Sequence, residues 1–79
     1  KEAQKAFKRL ERKAQEAEAR VGDLEGKIAA LSSEMATMDP NDWQAFTAKL
    51  DEQKQLESEL AYAMSTWEEA QGALETAQG

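Results

Sequence analysis

Apolar residues recur at alternating steps of three and four residues through the first half of the chain. The series consists of Phe7, Leu10, Ala14, Ala17, Val21, Leu24, Ile28, Leu31, Met35 and Met38. A repeat that averages 3.5 residues is the seam of a coiled coil, in which each helix packs one apolar stripe against another helix. A helix with this seam therefore needs a second apolar stripe to cover it.

The second half of the chain supplies such a stripe. Its members are Trp43, Phe46, Leu50, Leu56, Leu60, Ala63, Trp67, Ala70 and Leu74. The polar residue Gln53 stands between Leu50 and Leu56, where two successive steps of three predict a local overwinding of the helix. We interpret Gln53 as a polar layer of the seam that helps to fix its register.

The single proline of the chain, Pro40, separates the two stripes. Asp39 before it predicts an N-cap with proline at the first helical position, where the missing N–H group costs nothing. Asp42 would add a second carboxylate to the first turn, and Met38 with Trp43 would form a hydrophobic staple. The segment is thus predicted to end one helix and to start the next.

These features predict an all-α fold in which two long helices form an antiparallel coiled-coil hairpin. We expect one hairpin over residues 1–79, with a first helix at about 2–37, a turn at 38–40 and a second helix at about 40–77. Facing residues would then have numbers that add up to about 77, which pairs Ala14 with Ala63 and Leu24 with Gln53. We expect a monomer, because a straightened dimer would lose the predicted cap and staple.

Composition excludes several classes of site. The chain has no Cys and no His, so thiolate and imidazole chemistry cannot contribute to catalysis or to metal binding. It also lacks the glycine-rich nucleotide-binding patterns, and its carboxylate pairs fall mostly on outward positions. We therefore expect no catalytic residues, no metal site and no cofactor.

The ends of the sequence and its hydropathy lead to two further expectations. The chain begins with a Lys inside a helical pattern and without an initiator Met, which suggests a piece of a longer protein. No apolar run approaches the roughly 20 residues that cross a bilayer, and no signal peptide pattern opens the chain. We expect a cytoplasmic location and no membrane contact.

The charge of the chain is divided unevenly along its length. Residues 1–13 carry six basic and two acidic side chains, a formal charge of +4, whereas the remaining 66 residues carry four basic and fourteen acidic ones, a formal charge of -10. The predicted nucleic-acid-binding residues are the six basic ones: Lys1, Lys5, Lys8, Arg9, Arg12 and Lys13. Most of them share one helical stripe that can neutralise phosphates.

Two other interpretations of exposed groups remain open. The basic residues would form an ordinary charged face if they paired with nearby carboxylates, namely those of Glu2, Glu11 and Glu16. Trp43 and Phe46, near the turn, could stack on unpaired bases, but their seam positions favour packing in the core. Tyr62 lies off the seam and is predicted to be a half-exposed flanking residue.

Residues 25–75 resemble the C-terminal coiled-coil domain of ABC-F ATPases, particularly those of the Uup type, and residues 1–31 resemble the basic entry helix of some members, so the resemblance covers nearly the whole chain. The resemblance rests on the seam residues Ile28 and Leu31, the break at Asp39 and Pro40, and a second helix that ends in Trp67 followed by two Glu residues. It implies that two ATP-hydrolysing domains precede this segment in the parent chain, and that the parent acts on translation or on nucleic-acid structures. In Uup-type members the domain contributes to DNA binding.

Sequence and resemblance together lead to one hypothesis with two alternatives. The leading hypothesis is a non-catalytic hairpin that binds DNA or RNA and contacts the ATPase domains of its parent chain. One alternative is a spacer or protein-docking arm without nucleic-acid binding. The other is a tRNA-contacting arm of a tRNA synthetase.

Overall fold

Two long helices account for most of the chain. The computed structural model describes residues 2–78, which form α1 (Glu2–Ala36) and α2 (Trp43–Gln78). Ala, Glu, Gln, Leu and Lys make up much of both helices, and these residues have high helix propensity. They pack side by side as a rod with extents of 62 × 16 × 14 Å. The predicted all-α helical hairpin is confirmed.

The helix α1 ends in a tightened turn. The backbone N–H of Thr37 donates to the carbonyl of Glu34 at 3.2 Å, and that of Met38 donates to the carbonyl of Met35 at 3.3 Å. The hydroxyl of Thr37 also donates to the carbonyl of Glu34, at 3.0 Å. These bonds satisfy carbonyl groups that the end of a helix leaves without partners.

The proline lies in a turn and not in α2. The N–H of Asp42 donates to the carbonyl of Asp39 at 3.1 Å, and the N–H of Asn41 donates to Oδ1 of Asp39 at 2.9 Å. Pro40 therefore occupies the second position of a four-residue turn, where its fixed φ angle is favourable. The prediction that Asp39 caps the second helix and that Pro40 begins it is wrong, because the oxygens of Asp39 close this turn instead.

The N-cap of α2 is Asp42. Its carbonyl accepts from the N–H of Phe46 at 3.1 Å, and its Oδ1 accepts from the N–H of Ala45 at 3.4 Å. This is the bonding pattern of a capping residue. The residue before the cap is the polar Asn41, so Met38 and Trp43 do not occupy the positions of a staple. Trp43 is 68% exposed, which contradicts its predicted packing in the core.

The core is a thin seam that runs the length of the rod. Its buried residues are Ala14, Ala17, Leu24, Leu31, Ala63 and Ala70. Most of the larger seam residues, and the polar Gln53, are only half-buried. A two-helix seam covers each side chain from one direction, so large side chains keep part of their surface in solvent.

Ion pairs between the helices show the register of the hairpin. Arg20 Nη2 lies 3.3 Å from Glu59 Oε1, and Lys49 Nζ lies 3.1 Å from Glu34 Oε1. The residue numbers of these pairs add up to 79 and 83, higher than the predicted value of about 77.

The shift in register moves every facing pair by about one seam position. Ala17 and Ala63 line the same groove, so Ala63 does not face Ala14 as predicted. Facing numbers near 81 also place Leu56, and not Gln53, opposite Leu24. The connection between the helices contributes to this shift, since it occupies residues 37–42 and not 38–40.

Candidate nucleic-acid interface

Four of the predicted phosphate-binding residues form a cluster on the first turns of α1. Lys5, Lys8, Arg9 and Arg12 are all exposed, and they line one surface groove of about 280 Å³. We call these four residues the basic cluster. Lys13 is also exposed and follows Arg9 by one helical turn, so it extends the cluster toward the middle of the rod. Lys1 lies outside the described residues.

The basic cluster makes no ion pair in the part of the chain that the structure describes. Ion pairs there join Arg20 to Glu59, Lys27 to Asp23 and Lys49 to Glu34. The alternative interpretation, in which the basic residues pair with Glu2, Glu11 and Glu16, would require contacts that are not formed within residues 2–78. The cluster therefore presents its charges directly to solvent.

The heptad positions explain why the cluster is unpaired. With Phe7 at position a, its members fall on b, c and f, which point away from the partner helix. Arg20 instead falls on the flanking position g, from which it reaches Glu59 on α2. The sequence thus places the cluster where α2 cannot neutralise it by direct contact.

In contrast to the residues of the basic cluster, Lys49 forms an ion pair, with Glu34. Hydrogen bonding and Coulombic attraction to the Glu34 carboxylate raise the pKa of Lys49 above its ordinary value. Both side chains keep substantial solvent exposure, so the pair contributes little to stability. This ion pair makes Lys49 less available to an anionic ligand.

Acidic residues of α2 lie at the same end of the rod as the basic cluster. The antiparallel arrangement brings the last turns of α2 beside the first turns of α1, and these turns carry Glu68, Glu69 and Glu75. Their three charges reduce the formal charge of that end from +4 to +1, counting residues 1–13 and 65–79 together. The candidate interface is therefore a local basic patch. Counting charge along the sequence alone misses these neighbours.

The two flanks of α1 carry opposite charges. Lys13, Arg20 and Lys27 follow one another at intervals of seven residues on one flank. Glu11, Glu18 and Glu25 do the same on the other. We call these the cationic flank and the acidic flank. The opposite charges of the two flanks were not predicted from the sequence, although the seven-residue spacing of these side chains is visible there.

A groove between the helices follows each flank. The groove on the cationic flank, of about 280 Å³, is lined by Lys13, Glu16, Ala17, Arg20, Tyr62, Ala63 and Thr66. The groove on the acidic flank, of about 410 Å³, is lined by Glu18, Val21, Gly22, Glu25, Met64 and Trp67. The buried Nε1–H group of Trp67 has no hydrogen-bond partner within residues 2–78.

Aromatic side chains are exposed at two places along the rod. Trp43 and Phe46 lie near the turn and are 68% and 40% exposed. Tyr62 lies in the groove on the cationic flank and is 75% exposed, more than the half-exposed position predicted from its place off the seam. Tyr62 shares its groove with two cations, Lys13 and Arg20, whereas the residues around Trp43 include the carboxylates of Asp39 and Asp42.

The described residues provide no metal centre and no membrane span. Within residues 2–78, His, Cys, Asp and Glu side chains do not form any group of three or more that could hold a metal ion. Neither α1 nor α2 contains a segment of the length and apolar character that a bilayer requires.

Comparison of the chain with protein-family models, curated proteins and solved structures gives no match.

Proposed function

We propose that this hairpin is a non-catalytic nucleic-acid-binding module whose basic cluster contacts phosphates. The observation that carries the proposal is the unpaired state of the cluster. Three of the four basic residues beyond residue 13 form ion pairs, whereas no described basic residue before residue 14 does. Lys and Arg side chains held in one exposed patch neutralise backbone phosphates and release the counterions around them.

The acidic remainder of the rod limits where nucleic acid can bind. Residues 14–64 carry a formal charge of -7, which repels a polyanion from the middle of the rod and from the turn. We therefore expect binding on the half of the rod in which α1 begins and not near the turn. Such a module makes few phosphate contacts and binds weakly by itself.

The resemblance to ABC-F ATPases supplies a context for this proposal. In that context the hairpin is an arm of a longer cytoplasmic protein, and its ATPase domains are the partners of the arm within the same chain. The parent protein would supply the ATP hydrolysis. The arm would add contacts to DNA or RNA.

A fluorescence anisotropy titration tests the proposal. Labelled duplex DNA, branched DNA and tRNA are each titrated with the hairpin at about 50 and 200 mM salt. If four phosphates are neutralised, affinity falls about a hundredfold between these two salt concentrations. A preference for tRNA over both DNA probes would instead favour the arm of a tRNA synthetase.

Two variants of equal net charge show where the contact lies. The first replaces three residues of the basic cluster, Lys5, Lys8 and Arg12, by Gln. The second replaces three basic residues of the body, Lys27, Lys49 and Lys54, by Gln. We expect the first variant to lose binding and its salt dependence, and the second to bind like the unmodified hairpin. Equal losses in both variants would contradict the assignment to the cluster.

The exposed turn favours a second candidate function, a protein-docking arm. Trp43 is a large apolar side chain at the end of the rod, and Asp39 and Asp42 beside it suit a partner surface with basic residues around an apolar pocket. Absence of binding to every nucleic-acid probe at tens of micromolar would overturn the first proposal. The turn would then be the surface on which to look for a partner.

A further inference from the structure

The groove on the cationic flank adds an aromatic surface to the basic cluster. Tyr62 on α2 is 75% exposed, and it lines the same groove as Lys13 on α1. Lys13 follows Arg9 by one turn, and Arg9 belongs to the cluster. Phosphate-binding side chains and an exposed ring therefore lie on one continuous face that crosses from α1 to α2.

The surroundings of Tyr62 leave its ring accessible. Two small residues of the core, Ala17 and Ala63, form the floor of the groove. The hydroxyl of Thr66 donates to the carbonyl of Tyr62 at 3.1 Å, so this polar group is already engaged. Arg20 is held by Glu59 across the groove, which leaves Lys13 as the groove cation without an ion pair among residues 2–78.

We propose that Tyr62 is a base-stacking residue and that the ligand of this face is single-stranded nucleic acid. The inference rests on the proposed function and specifies its ligand. The backbone of the strand follows Lys5, Arg9 and Lys13, and an unpaired base stacks on the ring of Tyr62. Exposed aromatic rings beside a basic track bind single strands in this way, whereas bases in a duplex are already stacked on one another.

The groove on the acidic flank does not combine an exposed aromatic ring with cations. Its exposed apolar side chain is Met64, which is 45% exposed, and its rim carries the carboxylates of Glu18 and Glu25. These charges repel a phosphate backbone. The ring of Trp67 lines that groove but is half-buried. The groove of Tyr62 also contains one carboxylate, that of Glu16, but its lining includes the cations Lys13 and Arg20, whereas the lining of the opposite groove includes no cation. A strand is therefore expected on the cationic flank.

An oligonucleotide without bases separates stacking from phosphate binding. The probes are a labelled thymidine decamer, a decamer of abasic sites with the same phosphates, and a uridine decamer that compares RNA with DNA. We expect the hairpin to bind the thymidine decamer about tenfold more tightly than the abasic decamer. Replacing Tyr62 by Leu should remove this difference, and replacing it by Phe should preserve it.

Controls distinguish failure of this inference from failure of the proposed function. Replacing Trp43 by Leu removes an exposed aromatic ring far from the groove and should leave the preference unchanged. Equal binding of the two decamers, with binding lost in a variant in which Lys5, Arg9 and Lys13 are replaced by Gln, would overturn the stacking role and leave the phosphate contact in place. Absence of binding to every decamer, duplex and branched probe would overturn both.

Discussion

At the scale of single residues, the outward face of α1 contains two positions where the helix lacks a side chain. A Cβ atom added at Gly22 or at Gly26 would meet no atom within 4 Å beyond the local helix backbone. Glycine in the interior of a helix is less favourable than alanine by about 1 kcal/mol. These two glycines therefore lower the stability of α1 without contributing to its packing.

Replacing Gly22 or Gly26 by Ala should raise the free energy of unfolding by about 1 kcal/mol each, because alanine restricts the unfolded backbone and fits the helix. Urea denaturation followed by circular dichroism measures the change. Replacing the exposed Ala29 by Gly is the matched control and should lower stability by a similar amount. A loss of stability in the Gly22 variant would show that another group occupies the groove beside it.

The sequence identifies the seam residues well but not how deeply each is buried. Trp43 and Leu24 both follow the heptad spacing, yet Trp43 is 68% exposed and Leu24 is 2% exposed. The difference arises because Trp43 is the first residue of α2, beyond the end of α1, where no facing turn covers it. A repeat predicts the direction of a side chain and cannot predict whether a partner lies there.

At the scale of structural elements, α2 begins next to two similar carboxylates, and only one of them caps the helix. Asp39 and Asp42 both have the side chain of a good N-cap, and both accept a backbone hydrogen bond. Only Asp42 also accepts the first helical bond through its carbonyl. Local sequence preferences favour Asp39 because Pro40 follows it, but the turn places the same proline equally well.

Replacing Asp42 by Ala should cost about 1 kcal/mol of stability, because the amides of the first turn of α2 lose their cap. Hydrogen exchange measured by NMR should show faster exchange at residues 44–46. The control variant replaces Asp51, an exposed carboxylate inside α2, by Ala. This change should leave hydrogen exchange at the amides of residues 44–46 unchanged. A larger effect from replacing Asp39 than from replacing Asp42 would place the cap at Asp39.

At the scale of the whole molecule, the hairpin is an extended rod. Its Cα radius of gyration is 17.8 Å, whereas a compact domain of this length would have a radius of about 12 Å. Among the residues that the structure describes, this small cross-section buries six, and four of them are alanines. Such a rod has little buried surface per residue and limited stability.

Small-angle X-ray scattering should give a radius of gyration near 18 Å together with the mass of one chain, 8.8 kDa. The reason is that the turn allows α2 to cover the seam of α1 within the same molecule. Light scattering coupled to size exclusion supplies an independent mass. Twice this mass with a length of about 115 Å, the span of one continuous helix, would contradict the monomeric hairpin.

The register of the rod could not be predicted from the seam alone. Two apolar stripes fit together in several registers that differ by one seam position, and the connecting residues decide between them. The connection runs to Asp42, beyond the predicted end of the turn, so each facing pair changes. The basic cluster was predicted because it points outward in any register. The acidic neighbours on α2 become visible only once both helices are placed.

The separation of charge along the rod gives the molecule an electric dipole moment parallel to its long axis. One end has a formal charge of +1 while residues 14–64 carry -7. A nearby polyanion therefore exerts a torque on the rod before any contact is made, turning the open end inward and the turn outward. If the hairpin binds nucleic acid as proposed, this orientation leaves Trp43 pointing away from the nucleic acid, where a third molecule can contact it.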